Sequence, residues 1–259
     1  MRRHSGDAPD IRIVCARSRA DYAAALGATG SVTKDYQGDT WPGFNRMPGE
    51  SLMTVYRAES GKVEIGWSNW GYAPDNELGK QFGPQPFAQV ETAPDKPYFS
   101  EAWLTRRRLV CACGWTVIRG KGDDQEAWHV RPRDGKPVFL LALGDPVVHC
   151  TVKKVAVLLA PAPGMLAELA PRVPVTVPGE HARFWLDPGL VPHEQFVLAN
   201  RTMMGNAFEW AQVTKHAVNP RMDGPALLKR APKMSDIRYG ADWDEWWEKP
   251  RENARDVRR

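Results

Sequence analysis

The chain reads as an α+β domain: a mainly antiparallel β-sheet curled into a barrel-like core, with a few short helices. Three observations predict this. Strand-like apolar runs recur along most of the 259 residues, helical stretches are short, and no β-α-β alternation or internal repeat appears. With 42% hydrophobic and 25% charged residues, the composition is that of an ordinary globular protein.

Taken in order, residues 1–10 read as a flexible charged leader, 11–230 as the domain and 231–259 as a tail. In "IRIVCAR", Ile11, Ile13 and Cys15 share one parity, which points them to one face of a strand. Ser18 is an N-cap for the helix in "RADYAAALG", and Gly27 is its C-cap. A loop rich in Gly, Asp and Trp follows, then strands in "SLMTVYRAE" and "KVEIGWSNWGYAP". Residues 75–97 are polar and proline-punctuated, the pattern of a surface loop. "RRRLVCACGWTVIRG" and "DQEAWHVRPRDGKPVFLLALG" read as paired β segments, with Asp134-Gly135 as a hairpin turn. "KKVAVLLAP" is a buried strand, "PGMLAELAPRVPVTV" a short helix then a strand, and "PGEHARFWLDP" a helical turn. "EWAQVTKHAVNPRMDGPALLK" closes the body; its Asn-Pro and Asp-Gly are turn formers, so Asn219 and Arg221 read as structural. In the tail, Trp243, Trp246 and Trp247 fall at i, i+3, i+4, one apolar helical stripe.

Lysine and arginine (35) exceed aspartate and glutamate (31), a formal charge of +4 that is compatible with a polyanion partner but does not require one. The best apolar run, "VAVLLAPAPGMLAELA", is broken by Pro161 and Pro163, so no membrane association is expected. Four cysteines without a secretory context predict reduced thiols and a cytoplasmic location. Cys111 and Cys113 form a C-x-C with no second pair, and His129, His149, His181, His193 and His216 lack ligand spacing. No metal and no cofactor are expected.

Six stretches then occur in a telling order: "VCAR", "FNRMPGE", "NWGYAP", "VETAPDKPYFSEAWLTRRRLVCACGW", "APRVPVTV" and "VNPRMDGP". Across roughly residues 11 to 228 they resemble the SOS response-associated peptidase (SRAP) family, whose members bind single-stranded DNA and attach themselves to abasic sites. In that family, loss of the initiator methionine leaves Cys as residue one. Its amine attacks the aldehyde of the opened sugar and its thiol closes a thiazolidine, while an Asn, a Glu and a His position the sugar and move protons.

Carried over residue by residue, the resemblance puts Cys15 in the nucleophile's place, with Ala16 for Gly and Arg17 for Arg. Phe87 stands for the catalytic Asn, Gln89 for the Arg after it, Val117 for the Glu and Ala170 for the His; Arg172 and Pro174 of the last motif remain. Phe, Val and Ala neither donate nor accept a proton. With fourteen residues ahead of it, the Cys15 nitrogen is an amide. The DNA contacts the resemblance implies are Arg17 and Arg172 on phosphates, Pro48 in a loop against the strand, and Trp70 beside the displaced base. Trp70 reads equally as core, Cys15 as a small strand residue, and Arg106, Arg107 and Arg108 as a solvated face.

The sequence thus predicts an SRAP-like protein that binds single-stranded DNA, abasic DNA included, with a degenerate catalytic set and no efficient crosslinking. Two alternatives stand beside it. A translation start at Val14 would expose Cys15 and give an active crosslinker. A pseudoenzyme serving as a protein-interaction module would suit the apolar replacements and the Trp-rich tail.

Overall fold

Alternating apolar residues give strands wherever both faces of the alternation find cover. In the computed structural model, which describes residues 10–27, 42–145 and 153–231, thirteen strands form. They are β1 (Asp10–Cys15), β2 (Gly43–Arg46), β3 (Ser51–Arg57), β4 (Val63–Trp70), β5 (Phe87–Gln89), β6 (Arg107–Ala112) and β7 (Gly114–Arg119), followed by β8 (Glu126–Pro132), β9 (Val138–Gly144), β10 (Lys154–Pro161), β11 (Arg172–Pro174), β12 (Thr176–Pro178) and β13 (Phe208–Val213). Five short helices join them: α1 (Arg19–Ala25), α2 (Glu77–Phe82), α3 (Ser100–Thr105), α4 (Gly179–Trp185) and α5 (Pro192–Ala199). The Trp243, Trp246 and Trp247 stripe, His149 and the leader as far as residue 9 lie outside the described residues.

One sheet has five antiparallel strands in the order β13-β8-β7-β1-β2. The other runs β10-β4-β3-β6-β9, and β9 pairs back onto β10, so these strands close on themselves. The closure between β10 and β4 is parallel and spans only Lys154↔Asn69 and Val155↔Trp70. The result is a ring of strands rather than a regular barrel. Strands β6 and β7 form nearly one strand that turns from the ring into the five-stranded sheet at Cys113–Gly114. Gly114 is required there, because its φ is +155° and a Cβ would stand 2.2 Å from the Val130 carbonyl oxygen.

The pleat sorts the core into layers. Leu52, Trp70, Val110, Leu140, Val155 and Val157 fill the ring. Met53, Leu109, Cys111 and Leu141 face outward and are covered by Tyr22 of α1, Trp103 of α3 and Trp185 of α4. Ile11, Trp115, Val117, Leu166, Ala170 and Phe208 form a third cluster on the five-stranded sheet. Each buried aliphatic side chain of this kind contributes about 1.5–3 kcal/mol.

α1 begins as its sequence predicts. Ser18 and Asp21 form a reciprocal capping box, and Gly27 follows the helix at φ +65°. Three expectations need correction. Residues 75–97 are not all loop: Asn76 caps α2 through the Leu78 and Gly79 amides, and β5 pairs with β10. The two β segments do pair, but their hairpin turn lies at Gly120–Gln125, while Asp134-Gly135 is the corner where the second segment changes sheets. Ile11, Ile13 and Cys15 also do not share one layer: Ile11 lies on the five-stranded sheet, Ile13 in the ring and Cys15 in the outer, helix-covered layer, and opposite Val14 the partner strand β2 carries one extra residue.

Candidate active site

Cys15 is 3% exposed at the end of β1, and Asp10 through Val14 precede it as the strand between β7 and β2. Around its sulfur stand the hydroxyl of Tyr22, the thiols of Cys113 and Cys111, the guanidinium of Arg46 and the backbone of Met53. The Tyr22 hydroxyl also lies 3.3 Å from the Cys113 sulfur. Arg46 folds back over Gly43, the residue paired with Cys15: a Cβ on Gly43 would meet the Arg46 Nε at 2.1 Å. Burial pushes the Cys15 thiol up to about 12, and the Tyr22 hydrogen bond and the Arg46 charge only partly oppose this. Tyr22 is raised as well, by burial and then by the neighbouring thiols. This sulfur is protonated and shielded, the opposite of an activated nucleophile.

The replacements Phe87, Val117 and Ala170 do come together. Val117 and Ala170 share the third apolar cluster, and half-buried Phe87 packs against it. Cys15 does not join them, which corrects the expectation that they surround its sulfur. The main-chain strand ahead of Cys15 occupies that place instead: Ile11 pairs with Val117 across the sheet and lies in the cluster that holds Ala170.

The residues implied to touch DNA fall into two kinds. Arg17 is exposed, with Nη2 donating to the Gly135 carbonyl at 2.6 Å. Pro48 is exposed in a turn that Glu50 closes by accepting from the Met47 amide at 2.8 Å. The same turn is tied to β4, where the Gly49 amide donates to the Trp70 carbonyl at 2.7 Å. Arg172 is engaged by Glu91 through two bonds of 3.0 and 3.1 Å. Burial would raise the Glu91 carboxyl, but the Arg172 hydrogen bond, a backbone hydrogen bond and the Arg172 charge together outweigh it and hold the group below its usual range. Trp70 is 1% exposed, donates its indole N–H to the Pro86 carbonyl at 2.7 Å and packs edge-to-face on Phe87 at 5.3 Å. In this conformation it is a core residue with no open face, the second of the two readings its sequence position allows.

Tyr22, Arg46 and Glu91 were not visible as site residues in the sequence, because each acts through a partner distant along the chain. The Asn219 side chain accepts from the Arg221 backbone amide at 3.0 Å. Buried Asn45 of β2 donates to the Asn219 and Met222 carbonyls, both at 3.0 Å, pinning this loop beside Cys15's neighbour strand. Among the described residues, no group of three or more His, Cys, Asp or Glu is placed to hold a metal ion.

Residues 11–220 match the family described as SOS response associated peptidase (SRAP). The chain is 25% identical over 223 residues to the abasic site processing protein YedK of Escherichia coli (strain K12), an overlap of 84% of this chain and 98% of that one. A solved protein from Bacteroides thetaiotaomicron superposes with a TM-score of 0.69 at 17% identity, covering 86% of this chain and 99% of its own. A phage-related protein from Bordetella bronchiseptica gives 0.65 at 21% identity, covering 79% and 94%. These two likenesses concern the fold.

Proposed function

The chain belongs to the SOS response-associated peptidase family, and from that premise we propose that it binds single-stranded DNA, abasic DNA included, without joining itself to the strand. One observation carries the second half of the reading: β1 continues upstream of Cys15 and lays Ile11 against Val117. Imine formation needs a free amine beside the thiol, and here that nitrogen is a peptide amide inside a sheet. A thiol alone forms with an aldehyde only a reversible hemithioacetal. The proton-handling positions are filled by Phe87, Val117 and Ala170, none of which titrates.

The binding half rests on family membership, on the similarity to YedK and on the exposed Arg17, whose charge suits a phosphate. Arg172 would serve the same purpose on releasing Glu91. A chain started at Val14 is the rival reading, but it would lack Asp10 to Ile13 and with them most of the pairing between β1 and β7.

The test is a pair of gels on the full chain. A native gel is expected to show a single-stranded DNA complex that weakens as salt rises. A denaturing gel after incubation with abasic DNA is expected to show free DNA only. A denaturation-resistant adduct would refute the non-covalent half, and no complex at low salt would refute the binding half.

A further inference from the structure

Arg107 and Arg108 are neighbours on β6 and therefore point to opposite faces of the ring. Arg107 points outward and is fully engaged, donating to the carbonyls of Trp185, Trp103, Leu104 and Asp187. Arg108 points inward and closes one end of the ring, and it is 1% exposed. Its Nη2 donates to the Asp145 carbonyl at 2.6 Å, while its Nε and Nη1 are buried without an acceptor among the described residues. The guanidinium lies 5.0 Å from the centre of the Tyr56 ring, whose face is also held by the Lys153 ammonium at 3.7 Å. Gly144 makes room for it: a Cβ there would stand 2.1 Å from the Arg108 Nε.

A cavity of about 430 Å³ adjoins this group. Arg57, Arg106, Arg107 and Arg108 contribute to its wall against Glu59 and Asp145, and although Arg106 is also paired with Glu101, guanidiniums still outnumber carboxylates there. A buried guanidinium cannot shed its charge, and an unpaired buried donor is costly enough that folded proteins nearly always satisfy it. Two donor nitrogens left free on a buried guanidinium, within a surplus of positive charge, suit an oxyanion.

We propose that this cavity is an anion site for a phosphate-type oxyanion, with Arg108 as its buried ligand and Arg106 and Arg57 at its rim. Both free nitrogens are shielded in this conformation, so the guanidinium meets the anion by turning about the face of Tyr56. The site shares no lining residue with Cys15, Phe87, Val117 or Ala170 and stands independently of the DNA reading.

The experiment is titration calorimetry of the full chain with inorganic phosphate at constant ionic strength. Saturable binding is expected in the wild-type chain, weakened more than about tenfold in Arg108→Met. No saturable heat, or equal affinity in the variant, would overturn the proposal. If Arg108→Met does not fold, Arg106→Gln at the rim is expected to weaken binding by about threefold, and equal affinity there overturns it too. A second arm separates the sources of phosphate. Displacement of inorganic phosphate by a short 5′-phosphorylated strand, but not by its 5′-hydroxyl counterpart, assigns a strand end as the ligand. Displacement by neither assigns the free anion.

Discussion

Cys15 and Arg108 are both buried, one under the helices outside the ring and the other inside its end, and burial acts on them in opposite ways. The thiol responds by keeping its proton: pushed up to about 12, it is neutral at any physiological pH and packs like a small apolar residue. Burial also lowers Arg108, to about 10, yet at pH 7 the guanidinium remains charged and two of its nitrogens remain unpaired. The same loss of water thus makes one group inert and leaves the other in need of an acceptor. The difference lies in the distance between each group's ordinary pKa and neutrality.

The sharpest way to break the comparison is to remove the strand that buries the thiol. Deleting residues 1–13 takes β1 from between β7 and β2, and the expected outcome is loss of cooperative urea unfolding followed by circular dichroism. A truncated chain that still folds cooperatively would reopen the reading of Cys15 as a nucleophile. The next effect is a rate. At pH 8, iodoacetamide is expected to modify Cys15 roughly a thousandfold more slowly in the folded chain than in urea, as judged by peptide mass spectrometry. Equal rates would show that the sulfur is not held protonated.

His129 extends the comparison to a third buried group. Burial, and then Arg131, lower it to about 4, so it is neutral in the fold. An unfolded histidine takes up its proton near pH 6.5, so the contribution to stability is complete above that value and is lost as pH falls towards 4. The stability advantage of the wild-type chain over His129→Asn should shrink by roughly 3 kcal/mol from pH 7 to pH 4, read from urea midpoints. In phosphate-free buffer Arg108→Met should raise stability by about 1 kcal/mol, since an apolar chain of similar length removes an uncompensated charge. The smallest effect concerns Arg172. Glu91→Gln releases it, and single-stranded DNA affinity at low salt should rise by about threefold, with the gain fading as salt increases.

Much of the fold was legible in the sequence because local patterns specify it. Ser18 and Gly27 bracket α1, and the alternation in "SLMTVYRAE" and "RRRLVCACGW" gives β3 and the β6–β7 strand. The α2 helix was missed because proline and polar residues around it resemble a loop, while its cap, Asn76, is a single side chain. Asp134-Gly135 is a turn but not a hairpin, since a turn signal does not say which strands it joins.

The candidate site divides in the same way. The sequence by itself determined which side chains are present: a thiol at position 15, no carboxylate at 117 and no imidazole at 170. Only the tertiary structure decided what surrounds them. The sulfur stands outside the layer shared by Ile11 and Val117, in the helix-covered one beside Tyr22 and Cys113. Ring closure placed Arg108 among cations rather than in solvent. Protonation and pairing depend on solvent access and on neighbours contributed by distant strands, and those are fixed by how sheets close, which no local stretch of sequence encodes.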